Sequence, residues 1–485
     1  MRYLQSGKKK LAAVLAVYAV LAAAFYLLGG KQLHVRDAET DDMVTPTGDV
    51  NEIYAGSEIT QPFALDADRI TGVTLLTATY GRENGCHLTV SVSRNGQTLA
   101  SVTVPASALT DSGETALSFD APVAITPGEK LTLTVTSPDG SGGDAVTVYY
   151  GSGISVSKGT VEKQLDSSEL AAVDGKALDG ILCFQVNGQE NLLFGSIYWY
   201  LAAAVGLALA AYGLLLLQKK KRGLPSPTLR FFDAIRRYRF LMEQLVNRDF
   251  KTKYKRSVLG VCWSFLNPLL MMLVQYVVFS TLFKSNIPNF PLYLLTGIVC
   301  FNFFNESTSM CLQSISGNAG LITKVYVPKY IYPVTRVLSS SINLLLSLIP
   351  LALVMAITRT PLRIQALLIV FGIFCLEVLC LGVGLILASL MVFFRDTQFI
   401  WSVLVTILNF ATPIFYPESI IPSRFLLLYK MNPLYHMVRF LRIVLMDGVS
   451  PEPKAYGLCL IAALVPLAIG IMVFKKCQDK FVLYI

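Results

Sequence analysis

Charge is scarce in this chain. Of its 485 residues only 15% are charged, against 53% hydrophobic, and the mean hydropathy is +0.55. Soluble domains carry about 25% charged residues, so the balance implies an integral membrane protein. Histidine is limited to 3 residues, and none of the 9 cysteines falls in a C-x-x-C pair, which argues against a metal centre. A phosphate loop of the form G-x-x-x-x-G-K-[ST] is also missing. "GNAGLITK", from Gly317, has the wrong spacing and "YGSGIS", from Tyr150, lacks the lysine, so the chain shows no means of hydrolysing a nucleotide. Asp41-Asp42 is an acidic pair in a polar leader, too little for the carboxylate or metal chemistry of a glycosyltransferase.

What charge there is sums to +9, but the cations gather beside apolar segments rather than across a soluble face. That pattern is membrane topology and excludes nucleic acid as a partner. Leu11 to Leu28 follows Lys8, Lys9 and Lys10 and is long enough to cross a ~30 Å hydrocarbon core as a helix. Its length exceeds the usual ~7–15 residues of a signal-peptide core, so it reads as an uncleaved anchor. Gly195 to Leu217 is a second span, stopped by Lys219, Lys220, Lys221 and Arg222. From Lys219 to Arg256 there are thirteen Lys or Arg against Asp233, Glu243 and Asp249, which sets that segment on the cytoplasmic side. Six more apolar segments follow, near Val258–Phe283, Leu292–Leu312, Val334–Ile357, Ile364–Phe394, Phe399–Phe415 and Tyr456–Phe474. Arg359 and Arg363 then fall outside, against the positive-inside rule, while Lys324, Lys329, Arg395 and the Lys475–Lys480 tail obey it.

Between the first two spans the pattern changes period. "HLTVSVS" and "KLTLTVT" alternate apolar and polar residues, and Asn95-Gly96 separates two such runs as a hairpin turn. Further strands are expected near Val73–Tyr80, Ala145–Tyr150 and Ile181–Val186, with turns at Pro127-Gly128 and Pro138-Asp139-Gly140. The expected architecture is an extracytoplasmic all-β, jelly-roll-like sandwich over residues 31–193. Tyr80, Tyr149 and Tyr150 are its candidate glycan contacts by stacking. Cys86 and Cys183 either pair, if this domain meets an oxidising space, or remain buried thiols. The remaining divisions are an anchor at 1–30, a second transmembrane helix at 194–218, a basic cytoplasmic linker at 219–256 and a six-span region at 257–485.

Within the basic linker, "LRFFDAIRRYRFLMEQLVN" from Leu229 sets Phe232, Ile235, Leu241 and Leu245 among Arg236, Arg237 and Arg239. At ~100° per residue this suits a helix lying in the membrane interface with its cations towards headgroups. The stretch "RDFKTKYKRSVLGVCWSFLNPLL" from Arg248 then passes from cations to apolar residues. It resembles the leading motif of the membrane subunit of type 2 ABC exporters, in the branch that moves O-antigens, teichoic acids and capsules. Three more stretches resemble that family in the same order: "LITKVYVPKYIYPV" from Leu321, "FFRDTQFIW" from Phe393 and "TPIFYPESIIPSRFLLLYKMNPLYHMVRFLRIVLMDG" from Thr412.

The resemblance implies a six-helix ABC exporter bundle at 257–485 with a re-entrant segment near 412–447, where Pro413, Pro417, Pro422 and Pro433 oppose a continuous helix. It makes the interfacial helix a gate whose Arg236, Arg237 and Arg239 hold the pyrophosphate of a lipid carrier. Arg248, Lys251, Tyr254, Lys255 and Trp263 belong to the leading motif. Lys324, Tyr326, Pro328, Lys329 and Tyr330 sit on the loop that would dock a separate ATPase, with Tyr326, Lys329 and Tyr330 exposed. Tyr276, Phe301, Phe304, Glu306, Trp401, Phe415 and Tyr416 are candidates for the translocation path. The implied assembly is a homodimer with a nucleotide-binding partner carrying ATP and Mg, a lipid-linked glycan as substrate, and no cofactor in this chain. An ABC permease for a lipid or drug is the alternative. An ion-coupled transporter with an outer sensing domain would need more paired carboxylates than Glu306 and Glu377 provide.

Overall fold

The computed structural model describes residues 2–40, 43–151, 154–157, 160–164, 170–224, 226–255, 259–281 and 287–484. Asp41-Asp42 and the start of the third apolar run at Val258 lie outside them. The described chain divides into two compact units, and each is considered by itself.

The first is the β-unit, which spans Leu33–Ser196 apart from a three-residue segment later in the chain. Asn95 and Gly96 take φ of 49° and 82° and turn His87–Arg94 back into Gln97–Pro105, with Arg94 opposite Gln97. Positive φ at both central residues is what a two-residue hairpin needs, and Asn-Gly tolerates it. One sheet orders its strands as Lys176–Ala177, Ala172–Val173, Glu58–Leu65, Glu129–Thr136, His87–Arg94 and Gln97–Pro105. In the other, the path Val35–Glu39, Phe184–Asn191, Arg69–Ala78, Thr147–Gly151, Ile181–Leu182 is joined by Gly113–Ala124 and Gly48–Asp49. All pairings within the two sheets are antiparallel. Alternate residues of both sheets point into one core: Leu88, Val90 and Val92 meet Leu131, Leu133, Val135, Val73, Leu75 and Val186, all at 2% exposure or less. Period-2 alternation therefore closes a two-layer sandwich, as the sequence pattern implies.

Cys86 and Cys183 are both buried and unbonded, so the disulfide alternative falls away in this structure. Tyr80 is 40% exposed, with the Arg82 guanidinium 5.0 Å from its ring centre. Tyr149 is half-buried and its hydroxyl lies 3.2 Å from Ser112 Oγ, while Tyr150 packs at the edge of the core. His87 is not an isolated imidazole: Asp139 accepts from its backbone N–H at 2.7 Å and sits 2.7 Å from its Nδ1.

Several surface carboxylates of this unit take backbone N–H donors in the same way. Hydrogen bonds from His87 hold Asp139 below its ordinary pKa, and those from Thr79 and Thr126 do the same for Asp111 and Glu129. A depressed folded-state pKa contributes stability that is complete above the unfolded value and lost as pH falls through the folded one. Acidification below about pH 4, where free carboxylates begin to protonate, is expected to lower the unfolding temperature of this unit in the full-length protein. Asp139→Asn should flatten part of that slope by lowering the neutral-pH transition towards its position in acid. Near-ultraviolet circular dichroism melts from pH 7 to pH 2 read both, and an acid-independent melt would contradict the assignment.

The second unit is helical. Among the described residues, six helical stretches are long and apolar enough to cross a membrane by length and composition: Lys8–Leu33, Leu193–Lys221, Gly260–Ser280, Ile331–Ile357, Ile364–Phe393 and Pro453–Tyr484. In chain order the helices are α1 (Arg2–Gly29), α2 (Leu193–Lys221), α3 (Pro227–Tyr254), α4 (Trp263–Thr281), α5 (Phe290–Leu312), the single turn α6 (Ala319–Ile322), α7 (Ile331–Ile357), α8 (Ile369–Phe393), α9 (Thr397–Ala411), α10 (Ser423–Met431), α11 (Pro433–Arg442), α12 (Pro453–Cys477) and α13 (Phe481–Tyr484). The architecture is a multi-pass helical membrane protein carrying an all-β region near its N-terminus. Helix α5 has the length of a span, but Asn302, Asn305 and Glu306 dilute its hydropathy. Helix α9 has 15 residues, about 22 Å at 1.5 Å each, shorter than a hydrocarbon core.

Helices α1 and α2 are cross-bonded by tyrosines: Tyr18 donates to the Ala202 carbonyl and Tyr198 to that of Ala22, each at 2.7 Å. Phe25 of α1 then meets Tyr456 of α12 edge-on at 4.8 Å, which ties the pair to the remaining bundle. Helix α3 is seven residues longer at its C-terminal end than the 229–247 stretch expected to lie in the interface. Its last two turns pack against α7 and form the floor of the site below.

Candidate functional site in the helical unit

Proline explains why a polar site forms here. Pro268 lies inside α4 and has no N–H, so the Ser264 carbonyl four residues earlier loses its helical donor. Ser347 of α7 shares one, its Oγ lying 3.2 Å from that carbonyl and 2.8 Å from the Asn343 backbone carbonyl of its own helix. The Asn267-Pro268 step thus crosses an apolar helix because a neighbouring hydroxyl completes the backbone.

Around this repair α3, α4, α5 and α7 enclose a half-open cavity of about 430 Å³. Its floor is buried: Asn343 and Ser347 are 8% exposed, and Phe303 4%. Lys253 of α3 places Nζ 2.8 Å from Oε1 of Glu306, and Asn343 donates to the same oxygen at 2.6 Å. The Asn343 carbonyl oxygen accepts from the Tyr254 hydroxyl at 2.9 Å and from Ser264 Oγ at 3.3 Å, and the two hydroxyls are themselves in contact. Trp263, Asn267 and Asn302 form an exposed rim. One turn earlier on α3, Asp249 accepts from Arg336 Nη1 at 2.7 Å and from Ser339 Oγ at 3.3 Å, while Arg248 reaches Asn318 Oδ1 at 3.3 Å. The end of α3 is therefore held to α5 and α7 by two ion pairs of opposite sense at i and i+4 spacing.

The other candidates fall in distinct places. Arg236, Arg237 and Arg239 are exposed on α3, with Arg239 2.7 Å from Glu243. Met242 and Leu245 on its opposite face are buried with Val327, Ile331 and Tyr332. Lys251 and Lys255 are exposed. On the loop after α6, Tyr326 stands 92% exposed beside exposed Lys324, and Pro328 is half-buried. Lys329 and Tyr330 are not exposed as expected. The Lys329 ammonium donates to the Gln478 carbonyl and lies over Phe481, because the C-terminal turns fold back beneath the loop, and Tyr330 packs against Phe231 of α3 with ring centres 5.7 Å apart.

Among the aromatic candidates, Tyr276 faces outward, whereas Phe301, Phe304 and Phe415 are core residues within this protomer. Trp401 packs against Phe304 at 6.1 Å, Phe415 stacks on Phe279, and the Tyr416 hydroxyl bonds the Phe410 carbonyl.

Sequence reasoning missed Arg442. It is 9% exposed and has no carboxylate within ion-pair distance among the described residues. Instead it donates to the carbonyls of Pro413 at 2.6 Å, Ile414 at 3.0 Å and Tyr293 at 3.2 Å, and its guanidinium lies 3.3 Å from the centre of the Tyr293 ring. Arg442 holds the start of the broken chain from Thr412 to Ile421, with Asn432 on Thr412 and the Tyr293 hydroxyl on the Tyr416 carbonyl beside it. A proline-rich run beside a lone arginine was the available signal.

Comparison with known proteins now bears on this arrangement. The profile of the ABC-2 type transporter family matches residues 241–446, from the middle of α3 through the π-helical turn after α11. The O-antigen export system permease protein RfbA of Myxococcus xanthus is 33% identical over 257 residues, which is 52% of this chain and 98% of that protein. The chain belongs to the ABC-2 type transporter family. A Klebsiella pneumoniae protein of the same name is 28% identical over 246 residues, covering 50% of this chain and 93% of that protein. The polysialic acid transport protein KpsM of Escherichia coli is 26% identical over 241 residues, 49% and 93% of the two chains. This ABC-2 permease stands in the polysaccharide-export branch; its family is one of transport permeases rather than enzymes, and its location is a membrane.

Proposed function

We propose that this permease is the membrane subunit of an ATP-driven exporter that moves a lipid-linked polysaccharide of O-antigen, teichoic acid or capsule type from the cytoplasm to the cell exterior. Its relatives named for O-antigen export and polysialic acid transport carry the reading. The working assembly is a homodimer with two copies of a separate nucleotide-binding subunit holding ATP and Mg. Exposed Arg236 and Arg237 suit the pyrophosphate of a lipid carrier approaching along α3, since guanidinium pairs phosphate oxygens in bidentate fashion. The β-unit lies between two membrane helices whose following run, Lys219–Arg222, is cationic, so it faces the outside, where Tyr80 and Tyr149 meet glycan. Phe301, Phe304, Trp401, Phe415 and Tyr416 line the path only where the protomers part, since each is packed within one chain at rest.

Deleting the gene is the decisive experiment: lipid-linked glycan should accumulate inside the cell and surface polysaccharide should disappear. Unchanged surface polysaccharide would overturn the reading.

Tyr326 gives a finer test. A large side chain 92% exposed on a one-turn connector has no packing role in this protomer, so Tyr326→Ala should leave the melting temperature unchanged. Docked into a partner, such a residue is worth about 2 kcal/mol or more, roughly thirtyfold in affinity. Co-purification of the ATPase should therefore drop sharply, and wild-type recovery would remove Tyr326 from the docking surface.

A further inference from the structure

We infer that the cavity between α3, α4, α5 and α7 is a saccharide-binding subsite, selective for neutral sugar units over phosphate; the inference rests on the export reading above. Its electrostatics decide between the two ligands. A phosphate site needs unspent positive charge, but the Lys253 ammonium is already 2.8 Å from the Glu306 carboxylate, so the pair is close to neutral and Glu306 repels an anion. What remains is a set of amides beside that pair, Asn267, Asn302 and Asn305, while Ser340 and Ser347, whose protons go to the carbonyls of Arg336 and Asn343, offer acceptor lone pairs. Amides offer donor and acceptor together, which is the pattern that sugar hydroxyls require. The indole of Trp263 at the rim, 43% exposed, adds a flat apolar face of the kind on which a pyranose stacks.

Size agrees. At about 430 Å³ the space falls in the range of ligand pockets, roughly 300–1,000 Å³. It is too polar for a lipid tail, because burying Glu306 and Asn343 against hydrocarbon would strip them of solvent. A site of this kind also gives the ion pair a purpose. Lys253 belongs to α3 and lies fourteen residues beyond Arg239, about 21 Å at 1.5 Å per residue, so a sugar seated beside Glu306 would sit well along the helix from a carrier phosphate at the arginines.

The test uses the full-length permease with its ATPase partner in lipid nanodiscs and reads saturation-transfer difference NMR. The probes are the oligosaccharide released by mild acid from the lipid-linked glycan of the deletion strain, chitobiose, and inorganic phosphate. Both saccharides should give saturable transfer, and phosphate should not displace them. Asn302→Trp, which fills the cavity from its exposed rim without removing a bond recorded in the structure, should weaken saccharide binding at least tenfold. Glu306→Gln should weaken it too, with a modest fall in melting temperature from the broken pair with Lys253. Equal transfer in wild type and Asn302→Trp would overturn the subsite, and displacement by phosphate would reassign it as an anion site. If no lipid-linked glycan accumulates in the deletion strain the export reading fails by itself, and the chitobiose titration still decides the cavity.

Discussion

Arg442→Leu should prevent the permease from reaching a stable folded state, with loss of the monodisperse species in detergent or a fall of many degrees in melting temperature. The guanidinium is the donor for three backbone carbonyls, those of Pro413, Ile414 and Tyr293. Pro413 interrupts the helix after Ala411, so the oxygens of Pro413 and Ile414 have no helical N–H to turn to, whereas Tyr293 lies within α5. Leaving a buried acceptor unpaired costs roughly 1–3 kcal/mol each. Leucine also surrenders the contact with the Tyr293 ring, for which a desolvated cation gains about 2 kcal/mol. The sum rivals the whole stability of an ordinary domain, about 5–15 kcal/mol. Arg442→Lys should be intermediate, since one ammonium cannot span the carbonyls as the flat fork does. A leucine variant that melts with the wild type and still exports would show that the broken segment is held by something else.

The same residue marks where sequence reading stops. Spans, the basic linker and the sandwich follow from periodicities that a short window contains: Leu88-Val90-Val92 declares a strand face by itself, and Asn95-Gly96 declares its turn. Pairings across the chain leave no such trace. Lys253 meets Glu306 fifty-three positions away, Asp249 meets Arg336 eighty-seven away, and Arg442 meets the backbone at Tyr293. Glu306 read alone is an isolated carboxylate in an apolar helix; only the fold supplies Lys253 and Asn343 and turns it into the wall of a cavity. The aromatic candidates show the converse limit. A phenylalanine in a span looks the same from the sequence whether it faces a path or a neighbour, and Phe301, Phe304 and Phe415 face neighbours in this protomer. Lys329 and Tyr330 read as exposed because what covers them is distant in sequence, the turn at Gln478 for Lys329 and Phe231 of α3 for Tyr330.

Two glycines on one helix separate packing from propensity. Helices α8 and α12 touch at Gly382 and Gly470: a Cβ on Gly470 would stand 2.3 Å from the Gly382 carbonyl oxygen, and a Cβ on Gly382 2.4 Å from the Leu467 nitrogen. Both obstacles are backbone, so relief requires the helices to move apart rather than a side chain to turn. Small residues at such crossings are what allow close approach in lipid, where association depends on van der Waals contact. Gly470→Ala should therefore lower the melting temperature clearly, by an overpacking cost of about 1–3 kcal/mol, and Gly470→Leu should abolish folding. Thirteen residues earlier on the same helix, Gly457 has nothing within 4 Å of the corresponding position. There alanine only stiffens the helix, worth up to about 1 kcal/mol, so Gly457→Ala should hold or raise the melting temperature. The same chemical change thus acts in opposite directions according to what the other helix presents. If both alanine variants melt alike, α8 and α12 are not in backbone contact and the bundle packs differently.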